Sequence, residues 1–147
     1  MRLLLQRVLR AGVRVRGDER AIGRGIVALV GVGDGDEEGD ARRLAEKAAH
    51  LRVFPDERGR FDKSLLDVGG SALVVSQFTL YGDCRKGRRP DFGAAMEPAR
   101  AEPLYRAFVR ELEALGVPCR TGEFGADMEV ELVNDGPVTL WLDSRAP

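Results

Sequence analysis

The most regular hydrophobic pattern of the chain flanks a four-residue polar corner, Asn134–Pro137. Apolar residues alternate with polar ones on both sides of it: Met128, Val130 and Leu132 before the corner, and Val138, Leu140 and Leu142 after it. Period-two patterns around an Asn/Asp/Gly cluster are typical of a β-hairpin, so we expect two paired strands joined at the corner. The proline is unusual for a hairpin turn, because it removes a backbone donor and leaves the carbonyls of Gly136 and Pro137 free.

Three further segments have the composition of strands. Residues Leu3–Val15 alternate in part, and we expect one strand there or two strands broken near Ala11-Gly12. Ile26–Val30 is a continuous apolar run between glycines, which is typical of a strand covered on both faces. Leu73–Leu80 begins apolar and becomes polar at Ser76, Gln77 and Thr79. We expect a strand whose last side chains are presented at a rim.

Two segments have helical periodicity. The first runs from about Glu37 to His50, with an apolar stripe and acidic residues at its start, where the helix dipole favours negative charge. The second begins between Pro98 and Pro103 and ends at Leu115, before Gly116 and Pro118. The order of elements predicts an α/β fold. We expect mixed, largely antiparallel sheets forming a barrel-like core with two helices packed outside, in α/β/β layers.

Composition limits the class of protein. The chain has 147 residues, for which a single domain over residues 1–147 is the natural expectation. No apolar run approaches the roughly 20 residues of a membrane span, so no membrane partner is expected. The segment Met1–Arg7 is too short and too charged for a signal peptide. The two cysteines, Cys84 and Cys119, form no CxxC motif, which favours free thiols and a cytoplasmic location.

The usual catalytic and ligand-binding patterns do not occur. Gly31–Asp40 is rich in glycine and aspartate, but it matches neither a dinucleotide-binding fingerprint nor a calcium loop, and a helix start explains it. His50 is the only histidine, and we place it at a helix C-terminus rather than in a catalytic set. No Ser-His-Asp or Cys-His arrangement is visible. We therefore expect no metal and no cofactor.

A basic run follows the rim strand. Four cations, Arg85, Lys86, Arg88 and Arg89, occur within five residues, although the formal net charge of the chain is only −1. From the residues alone, a solvated loop and a contact with nucleic-acid phosphates are equally good interpretations.

Several motifs taken together resemble the D-aminoacyl-tRNA deacylase family, once called D-tyrosyl-tRNA deacylases. The two signature segments are Ser76–Leu80 and Asn134–Thr139. The remaining similar segments are Gln6–Val8, Leu65–Gly70, Arg85–Pro90 and Phe124–Met128. Each motif alone is weak, but their joint order and spacing cover essentially the whole chain. Phe78 and the Gly136-Pro137 pair are similar to the chirality-checking deacylase rather than to its relative that tolerates L-alanine.

The resemblance implies a homodimeric enzyme that acts on aminoacyl-tRNA. It would hydrolyse D-aminoacyl-tRNA and mischarged glycyl-tRNA while rejecting L-aminoacyl-tRNA. The resemblance also implies a cis bond between Gly136 and Pro137. That pair would reach into the partner's site and accept hydrogen bonds from the substrate's α-amino group. Arg7 and Asn134 would support this corner.

The resemblance further assigns the catalytic segment and the basic run. Phe78 and Thr79 would place their backbone N–H groups near the scissile carbonyl, with Ser76 and Gln77 lining the site. The cations at positions 85, 86, 88 and 89 would contact phosphates of the acceptor stem. Two mechanisms stay open: one without a side-chain nucleophile, which we favour, and one through an acyl-Thr79 intermediate.

Two other functions also stay open. The chain could be a non-catalytic dimer that binds tRNA or other nucleic acid through the basic run, or an esterase acting on small D-amino acid esters.

Overall fold

The computed structural model describes residues 1–146. The last residue of the domain predicted over residues 1–147, Pro147, lies outside the described residues. The strands are β1 (Arg2–Val15), β2 (Asp18–Ile22), β3 (Gly25–Gly31), β4 (Phe54–Pro55), β5 (Phe61–Lys63), β6 (Ser71–Ser76), β7 (Cys119–Thr121) and β8 (Glu129–Asp143). The helices are α1 (Glu38–His50), α2 (Pro98–Ala114) and a 3₁₀ turn (Phe78–Tyr81).

Strand β1 is the centre of the six-stranded sheet. It pairs antiparallel with β8 along one edge and with β2 and β3 along the other. The sheet continues from β3 to β6 and β7 through parallel pairings. This nearly closed, barrel-like sheet carries two helices, so the predicted α/β class is confirmed. Strands β4 and β5 form a separate two-stranded ribbon. Among the described residues, no helix is long and apolar enough to cross a membrane.

Two hydrophobic cores lie on opposite faces of the central strands. One contains Ile26, Ala28 and Val74 together with residues of α1 and α2, and the other contains Val27 and Leu73. Alternate residues of β3 and β6 therefore point into different cores. This arrangement confirms that the run Ile26–Val30 is a strand covered on both faces.

Strand β1 changes its buried face halfway along. Leu3 and Leu5 lie in the core beneath the helices, whereas Ala11 and Val13 lie in the second core. Strict alternation would keep all four odd-numbered residues on one face. The register with β8 slips between Val8 and Arg10, and such a bulge reverses the faces. The strand is continuous, so the possible break at Ala11-Gly12 is absent.

The prediction of a β-hairpin around Asn134–Pro137 is wrong. Both flanking runs belong to β8, and both pair antiparallel with β1 rather than with each other. Gln6 is opposite Thr139 and Val8 is opposite Asn134, so the corner bulges out of one long strand. Alternating hydrophobicity reports which face of a strand is buried and carries no information about its partner.

The two predicted helices are confirmed and one predicted strand is corrected, whereas β2, β5 and β7 had no counterpart in the prediction. Helices α1 and α2 lie within a residue of their predicted ends. The predicted strand Leu73–Leu80 ends early, at Ser76, and the chain then forms the 3₁₀ turn. The polar side chains at this end therefore sit on a turn instead of alternating across a sheet.

Candidate active site

The first half of the site is the chain at the end of β6. The backbone N–H of Gln77 still donates to Val30 O at 2.7 Å, and the chain then turns so that Leu80 N donates to Gln77 O. The N–H groups of Phe78 and Thr79 precede this first internal hydrogen bond, and no side chain of the described residues caps the turn. The first amides of a helix have no acceptor within it, so both N–H groups are available to an external oxygen.

The side chains around these amides are uncharged and at least partly exposed. Phe78 is 55% exposed, and its ring meets Phe92 edge-on at 5.0 Å between centroids. The Gln77 amide nitrogen contacts the Thr79 hydroxyl. Ser76 is half-buried at the strand end.

Next to this turn lies a cleft of about 610 Å³. Ser76, Gln77 and Phe78 form part of its wall. Its other walls include residues to which the sequence assigned no role: Phe92, Met96, Phe124, Asp127 and Met128. Three of these five lie in Phe124–Met128, one of the segments that carried the family resemblance. Phe92 and Met96 gave no signal in the sequence.

Within residues 1–146, no ionisable side chain forms a hydrogen bond with the Thr79 hydroxyl. Its side-chain partner is the amide of Gln77, which cannot remove a proton from an alcohol at neutral pH. His50 is exposed at the C-terminal end of α1, where its Nδ1 contacts Glu46 O at 2.9 Å. Within residues 1–146, no group of three or more His, Cys, Asp or Glu side chains could hold a metal ion.

The second half of the candidate site is the corner Asn134–Pro137. The peptide bond between Gly136 and Pro137 is cis, and both residues are exposed. Neither residue has a partner on β1, so their carbonyls are outside the strand ladder. Asn134 closes the corner: its Oδ1 accepts from Val138 N at 3.0 Å, and its Nδ2 donates to Thr139 Oγ1 at 2.9 Å.

Arg7 holds the corner from below. Its side chain is buried, donates from Nη1 to Val53 O at 2.6 Å, and donates from Nε to Asp135 O at 3.1 Å. The same Nε lies 3.2 Å from Asp135 Oδ2, which makes an ion pair. The guanidinium therefore joins the corner to the segment that leads into β4, and this contact restricts where the corner can lie.

The structure does not bring the two halves together within one chain. Gly136, Pro137, Arg7 and Asn134 are absent from the walls of the cleft that Ser76, Gln77 and Phe78 line. Gly136 and Pro137 are exposed and have no partner on β1, so this part of the corner is accessible to another molecule.

The basic run forms an exposed loop whose cations differ in their partners. Arg85 donates to both carboxylate oxygens of Asp83, at 2.6 Å from Nη2 and 2.9 Å from Nε. These hydrogen bonds lower the pKa of Asp83 to about 2. Lys86, Arg88 and Arg89 are exposed, and none of them pairs with an acidic group of the described residues.

Comparison with known sequences gives matches along the whole chain. The family model described as D-Tyr-tRNA(Tyr) deacylase matches residues 4–143. A protein of Thermomicrobium roseum named D-aminoacyl-tRNA deacylase is 61% identical over 98% of this chain and 94% of its own length. Proteins of the same name from Halalkalibacterium halodurans and Thermus aquaticus are 56% and 59% identical. These two matches cover 99% and 98% of this chain, and 100% and 95% of the relatives.

Solved structures give the same fold. One described as a c-Myc DNA unwinding element binding protein is 43% identical, with a TM-score of 0.93 over 99% of this chain and 100% of that one. Another, described as a probable eukaryotic D-amino acid tRNA deacylase, is 18% identical. It has a TM-score of 0.83 over 96% of this chain and 97% of its own. At that identity the second match supports the fold alone.

Proposed function

The chain belongs to the D-Tyr-tRNA(Tyr) deacylase family, a family of hydrolases, and from this membership we propose that it hydrolyses the ester bond of D-aminoacyl-tRNA. Water is added across the ester, and the products are the free D-amino acid and the tRNA. The observation that carries the proposal is the match over residues 4–143, which includes both signature segments. Mischarged glycyl-tRNA is a second substrate of the proposed activity.

In this proposal, the corner of a second copy of the chain distinguishes D-aminoacyl from L-aminoacyl substrates. The exposed carbonyls of Gly136 and Pro137 accept hydrogen bonds from the substrate's α-ammonium, while the ester is fixed at the turn of the other protomer. With both points fixed, an L side chain collides with the wall, a D side chain avoids it, and glycine passes because it has none. Such exclusion exceeds the roughly 1–3 kcal/mol that one methylene supplies in a pocket. The position of the corner outside its own cleft supports this arrangement.

The chemical step uses the backbone of the turn. Hydrolysis of an ester develops negative charge on the carbonyl oxygen, and preorganised N–H donors stabilise that charge. The uncapped N–H groups of Phe78 and Thr79 are such donors. Phe78 lines the cleft, whereas Thr79 follows it in the turn and is not among the residues that line the cleft. Ser76 and Gln77 line the cleft and supply further hydrogen bonds to the substrate.

The nucleophile is water rather than Thr79, and the terminal 2′-hydroxyl of the tRNA or a second bound water assists its attack. A threonine nucleophile needs a base to accept its proton, and the side chain beside the Thr79 hydroxyl is an amide. An activated ester makes modest demands on the enzyme, so oxyanion stabilisation and positioning are sufficient.

The basic loop contacts phosphates of the tRNA. Lys86, Arg88 and Arg89 are exposed and pair with no acidic group of residues 1–146, so their charge is available to a phosphate backbone. A tRNA substrate also favours the cytoplasm as the location.

The direct test compares three substrates: D-tyrosyl-tRNA, L-tyrosyl-tRNA and glycyl-tRNA. We expect fast release from the first and third and almost none from the second. Equal hydrolysis of the two tyrosyl-tRNAs would exclude the handedness filter. Faster hydrolysis of free D-tyrosine esters than of the tRNA ester would favour a small-molecule esterase.

Two substitutions at Phe78 test the role of the backbone donor. Phe78→Pro and Phe78→Ala both remove the ring, but only proline also removes the N–H, and the first position of a helix tolerates it. Losing one oxyanion donor costs on the order of 10²–10³ in kcat, so we expect a loss of that size for proline beyond the loss for alanine. Equal losses would remove Phe78 N–H from the mechanism.

Substitution of Thr79 separates the two mechanisms. Thr79→Ala keeps the backbone N–H, and we expect kcat within about ten-fold of the wild type because no acyl-threonine forms. Complete loss with an unchanged melting temperature would establish the nucleophile instead.

One observation favours a second function, nucleic-acid binding without catalysis. The 43%-identical solved structure is described as a DNA unwinding element binding protein. This function predicts tight, salt-sensitive binding to DNA and no ester hydrolysis with any of the three substrates.

A further inference from the structure

The glycine-rich segment Gly31–Asp36, which begins at the last residue of β3, matches no ligand-binding motif, yet it packs directly against the 3₁₀ turn. A Cβ added to Gly33 would lie 2.6 Å from the Tyr81 hydroxyl oxygen and closer still to two ring carbons. A Cβ on Gly31 would lie 3.0 Å from Gln77 O and 3.1 Å from Leu80 Cβ. Gly33 has no positive φ, so the ring of Tyr81, and not the backbone conformation, requires glycine there.

Asp36 fixes the other end of this contact. Its carboxylate is fully buried and accepts from Gly33 N at 2.6 Å and from the Tyr81 hydroxyl at 3.3 Å. The Met1 ammonium donates to the same carboxylate at 2.6 Å, and Arg145 lies 3.0 Å from it. A buried carboxylate with this many donors has a fixed position.

Tyr81 connects the loop to the catalytic backbone. It is the last residue of the turn that begins at Phe78, so a shift of its ring moves the turn. Burial raises the pKa of Tyr81, and the charge of Asp36 raises it further, so the hydroxyl stays a donor. Arg2 also contacts the turn: it donates a hydrogen bond to Leu80 O at 2.9 Å, and its Cζ lies 4.3 Å from the centroid of the Tyr81 ring.

We propose that Gly33, Asp36 and Tyr81 are positioning residues of the active site. The glycine admits the tyrosine ring, the aspartate fixes its hydroxyl, and the ring holds the turn so that the N–H groups of Phe78 and Thr79 converge on one point. This inference rests on the proposed function for its catalytic consequence. The packing that it describes can be tested without any activity.

Gly33→Ala is the central variant, and Gly39→Ala is its matched control. A Cβ on Gly39, in the first turn of α1, meets nothing within 4 Å. Because small misplacements of catalytic groups cost on the order of 10²-fold, we expect Gly33→Ala to lower kcat on D-tyrosyl-tRNA by at least about ten-fold. KM should stay within about three-fold, since the substrate-binding groups are untouched. Gly39→Ala should match the wild type.

A double-mutant cycle with Tyr81→Ala shows whether the effect passes through the tyrosine. Tyr81→Ala removes the ring that the new methyl group would strike. In that background we expect Gly33→Ala to change kcat by less than about two-fold. The same loss in both backgrounds, or a KM increase without a kcat decrease, would overturn the proposal.

Amide hydrogen exchange tests the positioning separately from catalysis. Leu80 N donates to Gln77 O and Gly82 N donates to Thr79 O, so their exchange rates report whether the turn is formed. We expect both rates to rise at least about ten-fold in Gly33→Ala and Asp36→Asn but not in Gly39→Ala. Unchanged rates would refute the proposal even with an active enzyme. Absence of wild-type hydrolysis with altered exchange would instead refute the proposed function.

Discussion

Gly136 occupies a conformation that side chains rarely adopt, with a φ of +131°. A Cβ there would lie 2.8 Å from Val138 Cγ2, 2.9 Å from Val138 N and 3.2 Å from Arg7 Nη2. Glycine is therefore required at this point both by the backbone and by the packing around it.

Gly136→Ala should damage function more than stability. The corner is exposed and can move away from Val138 and Arg7, but its carbonyls then lose their position. We expect kcat/KM on D-tyrosyl-tRNA to fall by at least about ten-fold, and unfolding free energy to fall by about 1–3 kcal/mol. Gly23→Ala is the control, because a Cβ there meets nothing within 4 Å and its φ is not positive. Full activity of Gly136→Ala would remove the corner from the site.

Arg7 and Arg14 make the same type of contact from β1 to β8 in different surroundings. The Arg7–Asp135 pair has side-chain exposures of 8% and 32%, against 48% and 74% for Arg14–Glu129. Replacing Arg7 with methionine leaves Val53 O and Asp135 O without their donor. We expect a loss of about 2–3 kcal/mol in urea unfolding. Arg14→Met should cost no more than about 1 kcal/mol. Similar losses of unfolding free energy in both variants would mean that Arg7 does not stabilise the corner.

At the scale of elements, hydrophobic periodicity correctly predicted which face of a strand or helix is buried, but it did not predict which strands pair with each other. The strand Ile26–Val30 and both helices follow from local patterns, because their apolar residues are buried by the local geometry alone. Strand β8 does not, because its two halves alternate identically whether they pair with each other or with β1. Pairing across more than 100 residues leaves no trace in a local pattern.

The residues of the candidate site also fall into those that the local sequence predicted and those that it did not. Ser76, Gln77 and Phe78 lie together in the sequence, and the structure places them on one cleft wall. Phe92 and Met96 reach that cleft from the segment between the 3₁₀ turn and α2, and no motif in the sequence includes either residue. The contact between Gly33 and the ring of Tyr81 could not be predicted from the sequence either, because the two residues are 48 positions apart in the chain.

The basic loop contains cations of two kinds, and this difference predicts unequal effects on tRNA affinity. Arg88→Gln and Arg89→Gln should each reduce the slope of log affinity against log salt by about 1. Arg85→Gln should change it less, because Asp83 already neutralises that charge. Arg110→Gln, on the exposed surface of α2, is the control. Titrations of a deacylated tRNA from low to high salt measure all four slopes.

Asp83→Asn provides the reverse test. It should free Arg85 and strengthen binding at low salt, with a steeper slope than the wild type. Weaker binding in this variant would mean that the Asp83–Arg85 pair shapes the loop rather than masking a charge.

At the scale of the whole molecule, the two halves of the site must come from different copies of the chain if the proposed filter operates. Each half is formed within one chain: the turn has uncapped amides, with Phe78 lining the cleft, and the corner is held by hydrogen bonds of Asn134 and Arg7. A symmetric dimer would bring each corner to the other chain's cleft and create two identical sites.

Heterodimers carrying one defect per chain test this arrangement. One chain carries Gly136→Ala and the other Phe78→Pro, each with a different C-terminal tag, and tandem purification isolates the mixed species. One of the two sites then combines an intact corner with an intact turn, so we expect about half of the wild-type rate per dimer although each parent is nearly inactive. A dimer of one wild-type chain and one Phe78→Pro chain should have about half of the wild-type rate whether each site uses its own corner or the partner's, so it calibrates the measurement. If each chain used its own corner, both sites of the mixed dimer would be defective and its rate would stay at the level of the parents. Failure to recover any mixed species after co-expression would exclude the dimer itself, and the corner would then need another way to reach the ester.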